Sequence, residues 1–430
     1  MSIITIQNTF QEEADKISTK AAPMTPSDLK HVLEAEFTHK QLTQTALLQH
    51  WLNTADQKLG MESEKTSAFL RSAIIIGLDA EWYEHDASYI TELGVSILDP
   101  EFQRTRPCAG ASASTCSTAA PKTAWDMLSA MENHHVRIKP HAHLTNRDLC
   151  PSHPDAFQFG STSFASISSA RAMLEDVFTR RDSAGSLRPV IFLGHAVDND
   201  AQAIKERLGI DMEDLGSVVA TLDTQVLAVE AGIAARGRKM GLSHLLEWFG
   251  LEERFLHNAG NDVVATLVAA LLIVCTPPPD SLPSLLSYAS LKSHLAASNS
   301  ATAPHRTFCG QLRFCIRCGS GQHTQACCEV AVFCEFCAVG GAGRREEMEK
   351  HAGERCREVV KANVLGKTKA KAKTVGEGKG RSGVWDKEMG RGGHACPCQS
   401  CIESSDPKRF GGSVAYGHLS EECPWGGVEV

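Results

Sequence analysis

Hydrophobic residues along the chain fall into short continuous runs separated by segments of helical periodicity. Three apolar runs have the length of a strand: Ile74–Leu78, Pro189–His195 and Val218–Leu222. Apolar runs without polar alternation are typical of strands buried on both faces of a sheet. A fourth segment, Ile90–Leu98, closely follows the first run, so we expect residues 72–100 to form a β-hairpin.

Segments of helical periodicity lie between these strands. The predicted helices are Ser168–Thr179, Asp200–Leu208, Gly241–Phe249 and Asp262–Val274. Strands that alternate with helices predict an α/β domain, in which helices flank a mixed sheet. Residues 1–66 place Leu, Val, Phe and Trp at helical intervals and predict a helical N-terminal extension that packs on this domain.

Composition sets the domain boundaries. We expect the α/β domain to span residues 67–275, with a disordered insertion at about 104–123, where the sequence is small, polar and unpatterned. Residues 276–304 begin with Pro and Asp and become rich in Ser and Ala, which predicts a linker. A length of 430 residues is consistent with two or three domains.

The sequence pattern predicts neither a transmembrane helix nor a secretory signal. The chain contains no apolar run of about 18 residues, so no transmembrane helix is expected. The first residues turn acidic and lack the basic and apolar regions of a secretory signal. We therefore expect the protein to work inside the cell, in the nucleus, the cytoplasm or both.

Charge divides the chain into two parts. Residues 305–430 carry 19 Lys and Arg against 15 Asp and Glu, whereas the chain as a whole has a net charge of −8. The larger front part is therefore acidic and the tail mildly basic. An acidic body does not exclude a nucleic-acid substrate, because bound divalent metal ions change the local field.

Four carboxylates occupy positions typical of a catalytic site. Asp79 and Glu81 form an Asp-x-Glu pair at the exit of the first strand, where alternation places both on one face. Asp200 opens the helix after the second strand, and Asp262 begins the last helix, five residues after His257. Functional groups in open α/β sheets gather at strand C-termini and helix N-termini, so we expect these carboxylates to meet.

Such a cluster points to metal-dependent chemistry. Carboxylates in close contact repel one another unless cations bind, and Mg²⁺ and Mn²⁺ prefer oxygen ligands. Two ions about 3.5–4 Å apart suit an in-line phosphoryl displacement, and His257 has the pKa range of a general base. Singly, an Asp-x-Glu pair can be a solvated turn and Asp200 an N-cap. Their order and spacing favour the catalytic interpretation.

Three segments, in order, resemble the motifs of DEDDh-type 3′–5′ exonucleases: LDAEWYE, LGHAVDNDAQAI and FLHNAGNDVVATL. The resemblance covers roughly residues 72–275 and implies an RNase H-like fold. It also implies that the four carboxylates bind two Mg²⁺ or Mn²⁺ ions and that His257 is the general base. The segments LDTQVLA and GLSHLLEWFGL resemble the stretches that usually lie between the second and third motifs.

A narrower resemblance is to fungal RNase H-like proteins related to a yeast suppressor of a DEAD-box mRNA-export helicase. The block HAHLTNRDLCPSHPDAFQFGSTSF is typical of that group. One departure concerns the second motif, where Asn199 replaces the aromatic residue found in many DEDDh enzymes. Asp198 is a rival carboxylate, but the spacing after Gly194 and His195 favours Asp200.

Twelve of the 16 cysteines lie after residue 305, and in a reducing compartment such clusters indicate metal ligands. The first set, Cys315, Cys318, His323 and Cys328, has the spacing of a zinc knuckle, with Cys327 as an alternative to Cys328. Two further sets keep the CxxC opening and the HxxxxC ending: Cys334, Cys337, His351 and Cys356, then Cys398, Cys401, His418 and Cys423. Alternative ligands are Cys309, His394 and Cys396.

This pattern predicts up to three structural Zn²⁺ ions. Two modules would lie in residues 305–360 and a third in 393–430, separated by a basic disordered linker at 361–392. Zinc knuckles commonly bind single-stranded nucleic acid, so RNA is favoured over single-stranded DNA, with a protein partner as the alternative.

The sequence thus leaves two functions open. The first is a 3′–5′ exonuclease that acts on RNA or single-stranded DNA. The alternative is a catalytically weak or inactive RNA-binding adaptor.

Overall fold

A computed structural model describes residues 24–39, 42–52, 64–101, 124–275, 285–303, 307–340 and 342–364. The predicted insertion at 104–123, most of the basic linker at 361–392 and the third Cys/His module lie outside the described residues. None of the helices that the structure describes combines the length with the apolar character that a membrane-spanning helix requires.

Six strands form one mixed sheet in the order β4-β3-β2-β1-β5-β6. The strands are β1 (Ile74–Tyr83), β2 (Asp86–Leu98), β3 (Glu132–Ile138), β4 (Thr162–Ala165), β5 (Val190–Gly194) and β6 (Val218–Asp223). β2 runs antiparallel to both β1 and β3, and the remaining neighbours are parallel. The predicted hairpin and the predicted mixed α/β sheet are both confirmed.

Helices cover both faces of this sheet. They are α1 (Pro26–Thr38), α2 (Gln44–Trp51), α3 (Glu64–Arg71), α4 (Ala124–Ser129), α5 (Ile167–Phe178), α6 (Val197–Leu208), α7 (Thr224–Glu230), α8 (Leu242–Trp248), α9 (Ala259–Cys275) and α10 (Leu285–Ser298). In the described part of the tail, the short helices α11 (Glu335–Ala338) and α12 (Ala342–Arg345) are followed by helical residues at 357–364.

The alternation of β1 divides the interior into two apolar cores. Ile75 packs in the core that contains α9, whereas Ile74 and Ile76 pack in the core beneath α5 and α6. Burial on both faces explains why β1 reads as a continuous apolar run. The predicted N-terminal extension adds Leu33 and Leu48 to the α9 core.

Helix α9 is the central helix of the domain, since its residues from Ala259 to Val274 are all buried. Two glycines of the sheet allow it to approach. A Cβ at Gly77 would meet Leu267 at 2.2 Å, and one at Gly94 would meet the carbonyl oxygen of Ala259 at 1.8 Å. The close approach at Gly94 places the N-terminus of α9 directly on β2.

The prediction that residues 276–304 form a linker is wrong for the described part of that segment. Helix α10 packs on the α9 core through Tyr288, Leu291 and Leu295. Their spacing of three and four residues places them on one helical face, but Ser and Ala between them dilute the apolar signal. Asn299 then ties the segment to β3, where its Oδ1 accepts the backbone N–H of Asn133 at 2.9 Å.

Candidate active site

β1 carries two carboxylates on the face turned toward α9. Asp79 and Glu81 share the side of the strand on which Ile75 packs against the α9 core. Across the antiparallel register, Asp79 lies opposite Gly94 and Glu81 lies opposite Glu92 of β2. Because Gly94 has no side chain, the N-terminus of α9 can lie directly over Asp79.

Asp262 and His257 come to the same place from the start of α9. One ligand atom from each of Glu81, His257 and Asp262 lies within 4.8 Å of the other two. The Asp262 Oδ2 accepts the backbone N–H of His257 at 3.0 Å. His257 has a φ of 59°, so a left-handed turn delivers its side chain to the carboxylates.

Asp200 reaches the cluster from α6, beyond the C-terminal end of β5. Its Oδ1 accepts the backbone N–H of Ala80 at 3.0 Å, which places it against β1 between Asp79 and Glu81. Asp200 is buried, whereas Asp198 and Asn199 are exposed on the same helix. The structure thus places Asp200, and not Asp198, beside Asp79.

Burial and mutual repulsion strongly perturb these groups. Burial raises the pKa of Asp79 to about 7, and the charge of Glu92 adds to the effect. Burial, followed by the charge of Asp79, raises the pKa values of Asp200 and Asp262 well above the usual range. A cluster of this kind is stable in ionised form only with cations bound to it.

Unsatisfied oxygens in the cluster fit divalent cations. Asp79 Oδ2 and Asp262 Oδ1 are buried and have no hydrogen-bond partner among the described residues. Buried polar atoms are normally paired, and hard cations are their natural partners in a carboxylate cluster. We refer to Asp79, Glu81, Asp200 and Asp262 as the carboxylate site.

A loop after β3 packs on the segment that carries His257. The Cys150 Sγ lies 3.4 Å from His257 Nδ1, and the backbone N–H of His153 donates to the His257 carbonyl at 3.1 Å. In the opposite direction, Asn258 Nδ2 donates a hydrogen bond to the His153 carbonyl at 2.9 Å. Two residues of the block that resembles the fungal group, Cys150 and His153, therefore contact His257.

Three neighbours of the site were not predicted from the sequence. Glu92 is buried opposite Glu81 and accepts a bond from His135 Nε2 at 2.9 Å. Cys150 contacts His257, and Glu84 organises the loop that contains Cys150. Glu84 was visible in the first motif, three residues after Glu81, but the pairing of Glu92 with His135 depends on strand register.

In the tail, the structure brings together two of the three predicted Cys/His sets. The ligand atoms of each set lie within 4.8 Å of one another: Cys315, Cys318, His323 and Cys328, and separately Cys334, Cys337, His351 and Cys356. We call residues 315–328 the first module and residues 334–356 the second module. Cys327 is exposed and lies outside the first set, and the Cys309 thiol donates instead to the Ser169 carbonyl at 3.3 Å. His394 and Cys396 lie outside the described residues.

The protonation of the thiols agrees with a metal site. Burial raises the pKa of Cys315 to about 11, and burial with neighbouring sulfurs raises the pKa of Cys337 to about 12. The thiolates of Cys315 and Cys337 are therefore disfavoured unless a cation compensates them. Burial acts the same way on Cys328, but hydrogen bonds from Arg317 and His323 outweigh it and lower the pKa of that thiol to about 6. Zn²⁺ binds such S₃N sets as thiolates and would hold each module together.

Both modules pack against the sheet domain. Gln311, just before the first module, pairs with Phe164 at the free edge of β4 through backbone bonds of 2.7 and 2.9 Å. Arg317 joins the modules, since its guanidinium donates to the Val330 carbonyl at 2.7 Å and to the Glu349 carbonyl at 2.9 Å. The Arg355 guanidinium donates to the Lys139 carbonyl at 2.7 Å.

Comparison with known families agrees with this geometry. Residues 74–273 match a DEDDh family model described as DNA polymerase III subunit epsilon-like, C-terminal domain. The chain thus contains a DEDDh exonuclease-like domain. That class implies divalent metal ions and supports nuclease chemistry in general.

Two curated relatives from Saccharomyces cerevisiae are similar to part of this chain. "Good for full DBP5 activity protein 2" is 24% identical over 218 residues, which are 45% of this chain and 34% of that protein. "Uncharacterized protein YDR514C" is 22% identical over 232 residues, which are 48% of this chain and 42% of that protein. The chain therefore spans less than half the length of these relatives.

Solved structures of Escherichia coli exonuclease I also align. A zinc-bound complex with single-stranded DNA has a TM-score of 0.27 and 16% identity, and the alignment covers 46% of this chain and 40% of that chain. A complex with a dA16 oligonucleotide has a TM-score of 0.28 and 16% identity, with 48% and 42% covered.

Proposed function

We propose that the protein is a metal-dependent 3′–5′ exonuclease that hydrolyses RNA or single-stranded DNA. The main support is the convergence of four carboxylates from β1, α6 and α9 with His257 at one edge of the sheet. Buried carboxylate oxygens without partners are costly in a fold and are typical of sites that bind a cation. The DEDDh family match over residues 74–273 supports the same reaction class.

Each residue has a distinct role in this proposal. Asp79, Glu81, Asp200 and Asp262 would hold two Mg²⁺ or Mn²⁺ ions. When bound, such ions stabilise the charge on the attacking and leaving oxygens of a phosphodiester. His257 would accept a proton from the attacking water, which requires a neutral imidazole. The Cys150 Sγ at Nδ1 of the ring would restrain its orientation.

We propose that RNA is preferred over single-stranded DNA because the first module has the Cys/His spacing of a zinc knuckle, a module that commonly binds single-stranded RNA. The tail modules would add phosphate contacts to either polymer. They present Arg344, Arg345 and Lys350 as exposed side chains beside the sheet domain. Such cations contribute phosphate contacts that weaken as salt rises. Equal rates and Michaelis constants on RNA and DNA of one sequence would contradict this preference.

We also propose an intracellular location, because Cys/His sets of this kind persist in a reducing compartment. Microscopy of a tagged copy tests this, and accumulation outside the cell would contradict it.

The decisive experiment uses oligonucleotides labelled at the 5′ end, which report stepwise shortening from the 3′ end. Wild-type protein should shorten them with Mg²⁺ or Mn²⁺ and not with EDTA. Asp200→Asn should abolish the ladder, whereas Asp198→Asn should leave it unchanged. The two variants make the same chemical change two residues apart on α6, and only Asp200 is buried.

Two outcomes would contradict the proposal. Loss of activity in Asp198→Asn with full activity in Asp200→Asn would overturn the assignment of the second motif. No shortening of RNA or DNA by wild-type protein with either metal would favour the alternative function, a binding adaptor.

A further inference from the structure

Directly after the second module, the chain contacts the sheet domain beside the carboxylate site through Arg357 and Lys361. Arg357 directly follows Cys356 and begins the helical residues 357–364. Its Nη2 donates to Glu84 Oε1 at 3.0 Å and to Asp148 Oδ2 at 2.5 Å. Lys361, one turn later, donates to the same Asp148 oxygen at 2.7 Å.

The carboxylate of Glu84 binds the backbone of the loop that follows β3. Its side chain is completely buried, and its two carboxylate oxygens accept four consecutive backbone N–H groups. These belong to Arg147, Asp148, Leu149 and Cys150, at distances from 2.6 to 3.2 Å. We call residues 146–150 the clamp loop. The charge of Glu84 therefore determines the backbone conformation of this loop.

The clamp loop leads directly to the proposed general base. Its last residue, Cys150, places Sγ 3.4 Å from His257 Nδ1. At its other end, Asn146 accepts the backbone N–H of Glu84 at 2.9 Å and donates to the Trp82 carbonyl at 2.8 Å. One end of the loop is thus bonded to residues that lie within three positions of Glu81. The other end contacts His257.

Arg357 supplies positive charge to a pair of carboxylates at this junction. Its own side chain is mostly buried, with 15% exposed, so its interaction with Glu84 is poorly screened by water. Removal of one partner from a buried ion pair leaves the remaining charge uncompensated, which is strongly destabilising. A guanidinium can serve two carboxylates at once, which an ammonium group does less well.

We propose that Arg357 is a positioning residue for the exonuclease-like site: it fixes the clamp loop through Glu84 and Asp148 and thereby orients His257. Cys356 belongs to the second module, so the folding of that module holds the backbone of Arg357 in place. The module is then a structural part of the site in the sheet domain. The kinetic consequence rests on the proposed exonuclease function, whereas the structural consequence does not.

Amide hydrogen exchange tests the structural consequence in the full chain. Arg357→Ala should increase exchange at least about tenfold in peptides covering residues 146–150 and the amide of His257, because local opening controls exchange. Arg357→Lys should give an intermediate increase. Arg344→Ala is the matched control, since Arg344 stacks on Phe336 inside the second module and should change neither peptide.

A variant on the other side of the contact separates positioning from loss of the module. Asp148→Asn weakens the contacts of Asp148 with Arg357, Lys361 and His85 without a substitution in the tail, and it should also increase exchange in the clamp loop. Metal analysis should return the same zinc content for this variant and for wild-type protein. If Arg357→Ala loses zinc, only the exchange measured for Asp148→Asn tests whether this contact positions the clamp loop. Unchanged exchange in the clamp loop of Asp148→Asn would overturn the proposal.

Kinetics on a 5′-labelled oligonucleotide test the effect on His257. Arg357→Ala should lower kcat about tenfold and change KM less than about twofold, since a displaced base affects turnover more than binding. Arg357→Lys should recover part of kcat. Faster exchange with unchanged kcat would overturn the link to His257. If wild-type protein cleaves nothing, the proposed function fails, and exchange at the His257 amide still decides whether Arg357 positions that residue.

Discussion

His257 combines an unusual backbone conformation with a side chain at the carboxylate site. Its φ of 59° is uncommon for a residue other than glycine, and such conformations cost on the order of 1–3 kcal/mol. The hydrogen bond from its backbone N–H to Asp262 and the contact with Cys150 maintain this conformation. Strain of this kind persists where the surrounding structure holds a functional group in place.

The role of His257 as a base leads to a quantitative prediction. His257→Ala should lower turnover by roughly 10²–10⁴-fold, the usual contribution of a general base. Mn²⁺ affinity should survive, because all four carboxylates remain, and titration of the metal measures it. His153→Ala is the control, since that ring packs edge-on against Phe255 near the same loop, with the ring centroids 5.6 Å apart. Near wild-type turnover in His257→Ala would rule out this residue as the base.

His195 makes folding stability depend on pH. Burial lowers the pKa of His195 to about 4, although Asp223 opposes the shift. The unfolded chain therefore binds a proton at a higher pH than the folded protein does. As pH falls from about 6.5 to about 4, the free energy of unfolding should decrease. The neutral ring is bonded through Nδ1 to Thr224 Oγ1 at 2.7 Å.

Urea unfolding of wild-type protein and of His195→Asn at pH 7 and at pH 5 measures this effect. The wild type should lose more stability between the two values than the variant does, because asparagine does not titrate. Equal losses of stability in the two proteins would show that His195 does not cause the pH dependence.

At the level of elements, the approach of α9 to β2 depends on Gly94. Gly94→Ala would place a Cβ within 1.8 Å of the Ala259 carbonyl oxygen, which is backbone and cannot rotate away. We expect destabilisation of about 1–3 kcal/mol, the usual range for overpacking, together with weaker Mn²⁺ binding because Asp262 moves with α9. Gly241→Ala is the control, since its nearest neighbour would be 3.8 Å away. Urea unfolding that is the same for both variants would contradict this role.

The elements differ in how well the sequence predicts them. β1 and β5 are buried on both faces, so their apolar runs mark them without further information. β3 was not predicted, because its residues Asn133, His135 and Arg137 are polar although they are buried. Their partners lie far along the chain: Ser96 for Asn133, Glu92 for His135 and Asp155 for Arg137. A local pattern cannot reveal a polar strand whose burial depends on distant partners.

The candidate site follows the same rule. The residues of the carboxylate site and His257 stand at strand ends and helix starts, and the sequence marks those positions. The surroundings of the site depend on the fold. Strand register brings in Glu92, a loop contact brings in Cys150, and the packing of the tail brings in Arg357. The spacing in the sequence favours Asp200 over Asp198, although both lie in the first turn of α6, and the fold adds that only Asp200 is buried.

At the scale of the whole molecule, the tail modules and the sheet domain have separate sources of stability. The two apolar cores of the sheet domain are complete without the second module, whose buried Cys334, Cys337 and Cys356 form a small cluster of their own. A cluster of that size cannot offset chain entropy unless a metal ion binds it. Loss of metal should therefore unfold the module and leave the sheet domain folded.

Purified protein should accordingly contain at least two Zn²⁺ per chain, and three if the Cys398, Cys401, His418 and Cys423 set also binds. Cys337→Ser should lose one Zn²⁺ and make residues 334–361 sensitive to protease, while urea unfolding of the sheet domain remains cooperative. Cys327→Ser is the matched control, because Cys327 is exposed and lies outside both sets. Its zinc content should equal that of wild-type protein. Less than one Zn²⁺ per wild-type chain, or equal losses in the two variants, would contradict the metal assignment.

Unfolding of the second module in Cys337→Ser would also remove the support of Arg357. This variant should therefore reproduce the faster exchange of the clamp loop without any substitution in the sheet domain.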